Sequence, residues 1–137
     1  MSTQTTPTFT AYARGGPRIL LRLEGAALLA AALLAYAQLG QGWMVFALAF
    51  LLPDLSMLGY LAGRKVGAAA YNLAHSTVLP LGLGAAGWLL AEPALQSAAL
   101  IWLAHIGFDR MLGYGLKYST AFGHTHLGQV GRAKGGD

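Results

Sequence analysis

Apolar residues run in long blocks along the chain, separated by very short polar interruptions. A helix that crosses a bilayer needs about 20 mainly apolar residues, and four stretches meet that length: 19–39, 42–62, 66–91 and 93–112. The second is interrupted by Pro53-Asp54 and the third contains Pro80. The linkers Gly40-Gln41, Gly63-Arg64-Lys65 and Glu92-Pro93 are so short that consecutive helices must run antiparallel. The expected fold is all-α, an integral membrane four-helix antiparallel bundle over 19–112. A polar, flexible segment (1–18) precedes it and a Gly-rich tail (113–137) follows. Residues 1–13 and the tail beyond Leu127 are expected to be mobile. Gly113-Tyr114-Gly115 is expected to end the last helix in a left-handed cap.

Composition agrees with that pattern. Apolar residues make up 55% and charged residues only 10%, against about 25% charged in soluble domains. The absence of cysteine excludes disulfides, thiolate zinc sites and cysteine nucleophiles. The net charge of +4 does not point to nucleic acid, because the basic residues form no patch interleaved with aromatics. They follow topology instead. Arg14, Arg18 and Arg22 precede or open the first stretch, and Arg64 and Lys65 join the second to the third. Arg110, Lys117, Arg132 and Lys134 lie at or after the end of the fourth. All nine therefore fall on one side, which makes both termini cytoplasmic in a multi-pass protein of a bacterial inner membrane. The bilayer is the expected partner, nucleic acid is not, and a homo-oligomer is left open. The N-terminal Arg residues, the Leu/Ala run and Ala35-Tyr36-Ala37 also imitate a cleaved secretory signal. Glu24 at the start of the run is atypical of such a signal.

Ionisable residues inside apolar spans are costly, at about 2.5 to 3.5 kcal/mol for an Asp, Lys or Arg at a helix centre. By default they mark a functional site. Here they are Glu24, Asp54, His75, His105 and Asp109, with Ser56, Tyr60, Asn72 and Ser76 nearby. At 1.5 Å per residue, Asp54, His75 and His105 each lie roughly 12–14 Å from the basic end of their spans. Glu24 and Asp109 lie about a turn closer to it. Three or four helices thus place ionisable groups at one level. His105 and Asp109 are i and i+4 and share a face, as do Asn72, His75 and Ser76. Pro53 frees backbone carbonyls beside Asp54.

Three readings follow. The group could merely join helices through hydrogen bonds, relay protons or ions, or hold one divalent metal ion in the bundle core. His and carboxylate ligands suit zinc, manganese or iron. In the metal reading Asp54, His75, His105 and Asp109 are the ligands, with Glu24, Asn72, Ser76 and His126 as supporting candidates. Arg110 is expected to snorkel toward the cytoplasmic face.

Other signals carry less. Gly82 to Gly87 spells a dinucleotide fingerprint, but inside an apolar span and with no acid about 20 residues on. Close helix packing accounts for it better. No Ser-His-acid order suggests a nucleophile, since Ser56 and Ser76 can bond backbone carbonyls. His124 and His126 could chelate a metal in an extended tail, although solvated histidines are the simpler reading.

Several polar words in order carry a family resemblance. They are Pro53-Asp54-Leu55-Ser56-Met57-Leu58-Gly59-Tyr60, Tyr71-Asn72-Leu73-Ala74-His75-Ser76 and Trp102-Leu103-Ala104-His105-Ile106-Gly107-Phe108-Asp109-Arg110. Gly113-Tyr114-Gly115-Leu116-Lys117-Tyr118 and Thr125-His126-Leu127-Gly128 follow. Over about 19–128 the chain resembles the bacterial family catalogued as domain of unknown function 4260, which implies a small integral membrane protein. It is more loosely similar to SOS-regulated membrane-bound metal-dependent hydrolases. Their pattern joins Pro-Asp-x-Asp, His-Arg-x-x-Thr-His-Ser and His-x-x-x-Asp words. Pro53-Asp54, His75-Ser76 and His105 with Asp109 fit it, while Ser56 replaces the second Asp and Ala70 the first His. This likeness implies metal-dependent hydrolysis at the cytoplasmic leaflet. The alternative is a non-catalytic membrane module or small transporter subunit with a structural or proton-relaying polar core.

Overall fold

The computed structural model describes residues 9–120 and 122–129. Arg132 and Lys134, and the first eight residues of the polar segment 1–18, lie outside the described residues. Among the described residues the regular structure is helical apart from one minimal hairpin. Helix α1 spans Gly15–Leu39, α2 Trp43–Ala49, a 3₁₀ segment Leu52–Ala62, α3 Arg64–His75, α4 Val78–Leu89 and α5 Pro93–Leu112. Strands β1 (His124–Thr125) and β2 (Gly128–Gln129) pair antiparallel. Gly40 (φ 64°) and Gly113 (φ 92°) end α1 and α5 in the left-handed region that glycine occupies without strain.

The stretches 42–62 and 66–91 are not continuous helices, and proline explains both breaks. A proline removes the hydrogen bond to the carbonyl four residues back and clashes with it. For Pro53 that residue is Ala49, the last of α2. For Pro80 it is Ser76, the extended residue (ψ 152°) that closes α3. After the first break the chain winds tightly. Asp54 N donates to Leu51 O and Gly63 N to Tyr60 O, both three residues back. Eleven 3₁₀ residues is a long run. The winding stacks side chains at i and i+3, so Asp54, Met57 and Tyr60 share one face.

Helix α5 is central. It packs on α1 and α4, while α3 packs on the 3₁₀ segment. Close approach rests on small residues. Gly25 of α1 meets the Arg110–Met111 backbone, Gly107 meets Gly25 and Leu29, and Gly67 lies under the Tyr60 ring. These pairs make α1 and α5 antiparallel, and likewise α3 and the 3₁₀ segment. The apolar core is small, centred on Ala32, Leu103 and Ala104. Large apolar side chains point outward instead: Leu61 and Leu89 are each 88% exposed. His75 and His105, by contrast, are each only 1% exposed. Two segments, Gly15–Leu39 and Trp43–Ala62, are long and apolar enough to cross a membrane.

The described terminal residues bond to one another and to the bundle, while most of the residues expected to be mobile lie outside the described ones. Ala13 N donates to His126 O at 2.7 Å, and Arg18 Nε donates to Leu127 O at 2.7 Å. Thr125 and Leu127 are buried. These partners are more than 100 positions apart in sequence, beyond the reach of any local pattern.

Candidate metal centre

Helix α5 presents His105 and Asp109 one turn apart on its inner face. The 3₁₀ segment supplies Asp54 directly after its proline, and α3 supplies its last residue, His75. A helix ending at His75 leaves its final carbonyls without intrahelical partners. Two α5 side chains satisfy them: Trp102 Nε1 donates to Ala74 O, and Arg110 Nη2 donates to His75 O at 3.0 Å. The break in the third stretch is thereby fastened to α5, which sets His75 against His105. Arg110 also donates to Tyr114 O at 3.0 Å. It braces the site instead of snorkelling, because two unsatisfied carbonyls lie within reach.

The four side chains converge. His75 Nε2 lies 3.1 Å from Asp54 Oδ1, 3.1 Å from His105 Nε2 and 3.5 Å from Asp109 Oδ2. His105 Nε2 lies 3.2 Å from Asp54 Oδ1 and 3.3 Å from Asp109 Oδ2. One potential ligand atom from each of the four lies within 4.8 Å of the others. The His rings are 1% and 2% exposed, Asp109 13% and Asp54 34%, so access from outside runs past Asp54.

The tautomer of His75 follows from its second nitrogen. Nδ1 lies 2.9 Å from the Tyr71 carbonyl, which can only accept. The proton is therefore on Nδ1, and in the neutral ring Nε2 carries a bare lone pair. The Tyr71 ring stacks on the imidazole at 3.7 Å and fixes its plane. Phe50 sets an edge against His105 at 5.3 Å, and His105 Nδ1 is buried without a hydrogen-bond partner. Two imidazole nitrogens and two carboxylates facing one another repel unless positive charge lies among them. A divalent ion or shared protons can supply it.

A pocket of about 220 Å³ adjoins the cluster, bordered by the ionisable Asp54, Asp109 and Lys117 and by Met57, Tyr71 and Phe122. Lys117 is only 8% exposed. Its Nζ donates to Phe122 O at 2.9 Å and stands over the Phe122 and Tyr71 rings at 3.2 and 4.7 Å. Burial pulls its ammonium down to about 8. The Asn72 amide pairs with the Lys117 backbone, donating to its carbonyl at 2.7 Å and accepting from its N–H at 2.6 Å.

The supporting candidates separate from the four. Glu24 is exposed on α1 and joins nothing in the cluster, since Arg18 and Arg22 turn to the carbonyls of Leu127 and Met111. Asn72 shares the helix with His75 but spends its amide on Lys117. Ser76 closes α3 through its backbone, which donates to Asn72 O. His126 is half-buried, and its Nδ1 accepts from Leu116 N at 2.8 Å. Burial, then the Arg110 charge, lowers its proton affinity. His124 bonds Thr120 Oγ1 at 2.7 Å and stacks on Phe9. Both tail histidines are partly buried and hydrogen-bonded within the C-terminal segment. Tyr71, Trp102 and Lys117 were absent from the sequence reading of the site. For Trp102 a signal existed: an indole N–H one turn before His105 needs a partner in an apolar span.

A family profile described as Domain of unknown function (DUF4260) matches residues 18–130. The chain belongs to that family. No curated protein and no solved structure matches it, so the looser hydrolase likeness is carried by the sequence words alone.

Proposed function

We propose that this DUF4260 protein is a multi-pass protein of the bacterial inner membrane that holds one divalent metal ion. Asp54, His75, His105 and Asp109 are its ligands, and hydrolysis at the cytoplasmic leaflet is its activity. The observation that carries the metal reading is the spacing of the ligand atoms. Ligands about 2.0–2.1 Å from a tetrahedral ion stand roughly 3.3–3.4 Å apart; the His–His and four His–Asp separations run from 3.1 to 3.5 Å, and all four ligand atoms lie within 4.8 Å of one another. The donor set of two imidazoles and two carboxylates suits zinc, manganese or iron. The Nδ1 bond to Tyr71 O presents His75 Nε2 as a ligand in the way such outer partners do. The bilayer reading rests on the two apolar segments, the outward-facing leucines, the buried polar centre and the one-sided placement of basic residues.

A divalent ion held by these four would need a fifth position for water, whose pKa it would then lower while polarising a phosphoryl or acyl oxygen. The chain's own residues prepare that chemistry. Trp102 and Arg110 hold His75 in place, and Asp54, the most exposed of the four, borders the pocket beside the cluster. Lys117 gives the same pocket a buried cation.

One observation favours the alternative, a non-catalytic module or small transporter subunit. Each imidazole lies 3.1–3.5 Å from both carboxylates, close enough for protons alone to join them. Elemental analysis of detergent-purified protein separates the two readings. It compares wild type with Asp54→Ala and His105→Ala, without a His-tag and with His124 and His126 replaced. Near-stoichiometric zinc, manganese or iron that vanishes in both variants is expected. A folded wild type that takes up none of these ions would overturn the metal site and leave the proton network.

A further inference from the structure

We infer that the apolar cavity beside the metal centre binds the hydrocarbon chain of a membrane amphiphile whose anionic head group is delivered to the four ligands. The inference rests on the metal-site reading and names its substrate class.

The cavity holds about 410 Å³, within the roughly 300–1,000 Å³ of small-molecule sites. It lies where the two proline breaks come side by side, and its walls include Ala49, Leu52, Pro53, Ala74, Ala98 and Trp102. These walls are the immediate neighbours of the ligands. Pro53 precedes Asp54, Ala74 precedes His75, and Trp102 lies one turn before His105.

The lining offers a head group nothing. Its hydroxyl, on Ser56, is spent on Pro53 O at 2.7 Å, and the Trp102 N–H is spent on Ala74 O. At the lip Leu52 is 58% exposed and continues into exposed Leu48, Leu51 and Leu55. Asp54 borders the smaller pocket instead, together with Asp109 and Lys117. Pro53 and Asp54 thus line different compartments, one without ionisable residues and one with three, the order of chain and head in an amphiphile. A water-soluble phosphoester would leave the larger compartment unused.

The groove acts by register. Moving a chain from bilayer to groove exchanges one apolar medium for another and gains little. What it fixes is the distance from chain to head, so that the anionic oxygens meet the ion. Such a head could be a phosphate or a carboxylate.

Metal-loaded protein in vesicles of phosphatidylethanolamine and phosphatidylglycerol is photolabelled with three diazirine-chain probes: a fatty acid, its methyl ester and a monoacyl phosphate. Labelled peptides are mapped and metal content is measured in each sample. At least one anionic probe is expected to label 49–53 and 98–102 several-fold above the peptides holding Leu61 and Leu89, and which one does so identifies the head. The methyl ester should show no such enrichment. Ala98→Phe and the milder Ala49→Leu should abolish the enrichment at unchanged metal content. Even labelling of all outward-facing helices in metal-replete protein, or enrichment that survives both substitutions, would overturn this inference alone. A folded wild type without metal would overturn the metal reading, and this inference with it.

Discussion

Gly107 stands between His105 and Asp109 on α5, against the backbone of α1, and adding one methyl group there tests the packing that holds the site. A Cβ on Gly107 would lie 2.7 Å from Leu29 N, 2.8 Å from Gly25 O and 3.1 Å from Leu29 Cα. Carbon contacts are most favourable at about 3.5–4.0 Å, and all three obstacles are backbone that cannot rotate aside. Helix α1 must retreat by roughly 1 Å, loosening the interface on both sides of the substituted turn. Overpacking of this kind costs about 1–3 kcal/mol. Alanine in a helix interior recovers about 0.5–1 kcal/mol relative to glycine, so Gly107→Ala is expected to lose up to about 2 kcal/mol. That is roughly a 30-fold change in the unfolding constant. Gly82→Ala is the reference, because a Cβ there meets nothing within 4 Å. It gains the same helix preference without the clash and should be the more stable of the two by about 1–3 kcal/mol. Unfolding in mixed micelles of rising SDS content, followed by circular dichroism, measures both, and metal titration of Gly107→Ala should show weaker uptake. Equal stability of the two variants would refute the close-packing argument.

Further outcomes follow from the bonds around the site. Asn72→Ala leaves the Lys117 N–H and carbonyl without partners, at about 1–3 kcal/mol for each group that stays buried. Limited proteolysis should then cut beyond Gly113 at protease levels that spare the wild type, and an unchanged pattern would count against the pairing. Lys117 binds its proton with a pKa of about 8 when folded against an ordinary 10.5. The unfolded chain therefore holds more protons between pH 8 and 10.5, and stability should rise with pH through that window. The rise is on the order of 3 kcal/mol, at about 1.4 kcal/mol per tenfold change in proton affinity. Lys117→Met should be more stable than wild type below pH 8 and lose the rise, whereas parallel pH profiles would contradict the burial argument. Arg110→Gln frees the last carbonyl of α3 and should weaken metal uptake about 10- to 100-fold in chelator competition, as loss of an outer partner does. Undiminished affinity would show that Trp102 alone holds α3 in place.

How much of this was legible in the sequence depends on how far each interaction reaches along the chain. The convergence of Asp54, His75, His105 and Asp109 could be anticipated by counting, because rise per residue and short linkers fix depth and direction together. The cap at Gly113 and the start at Pro93 were local and readable. The breaks at Ala49 and Ser76 were readable in principle, since each lies four residues before a proline. Hydropathy averaged over a span is barely changed by a single proline, and so merged α3 with α4. The 3₁₀ winding that aligns Asp54, Met57 and Tyr60 left no comparable mark.

What stayed hidden is the use of the C-terminal segment. Asn72 was assigned to the His75 face by its i, i+3 spacing, yet its amide has a better partner in the Lys117 backbone, 45 positions away. Arg18 was counted as a topology signal, while its guanidinium secures Leu127, 109 positions away. Such pairings depend on how the hairpin meets the bundle, which no periodicity encodes. They also bear on the site. Through Asn72 and Phe122 the segment holds Lys117 where it borders the same pocket as Asp54 and Asp109. The bundle supplies the four converging side chains, and the segment supplies the lysine that borders the pocket beside them.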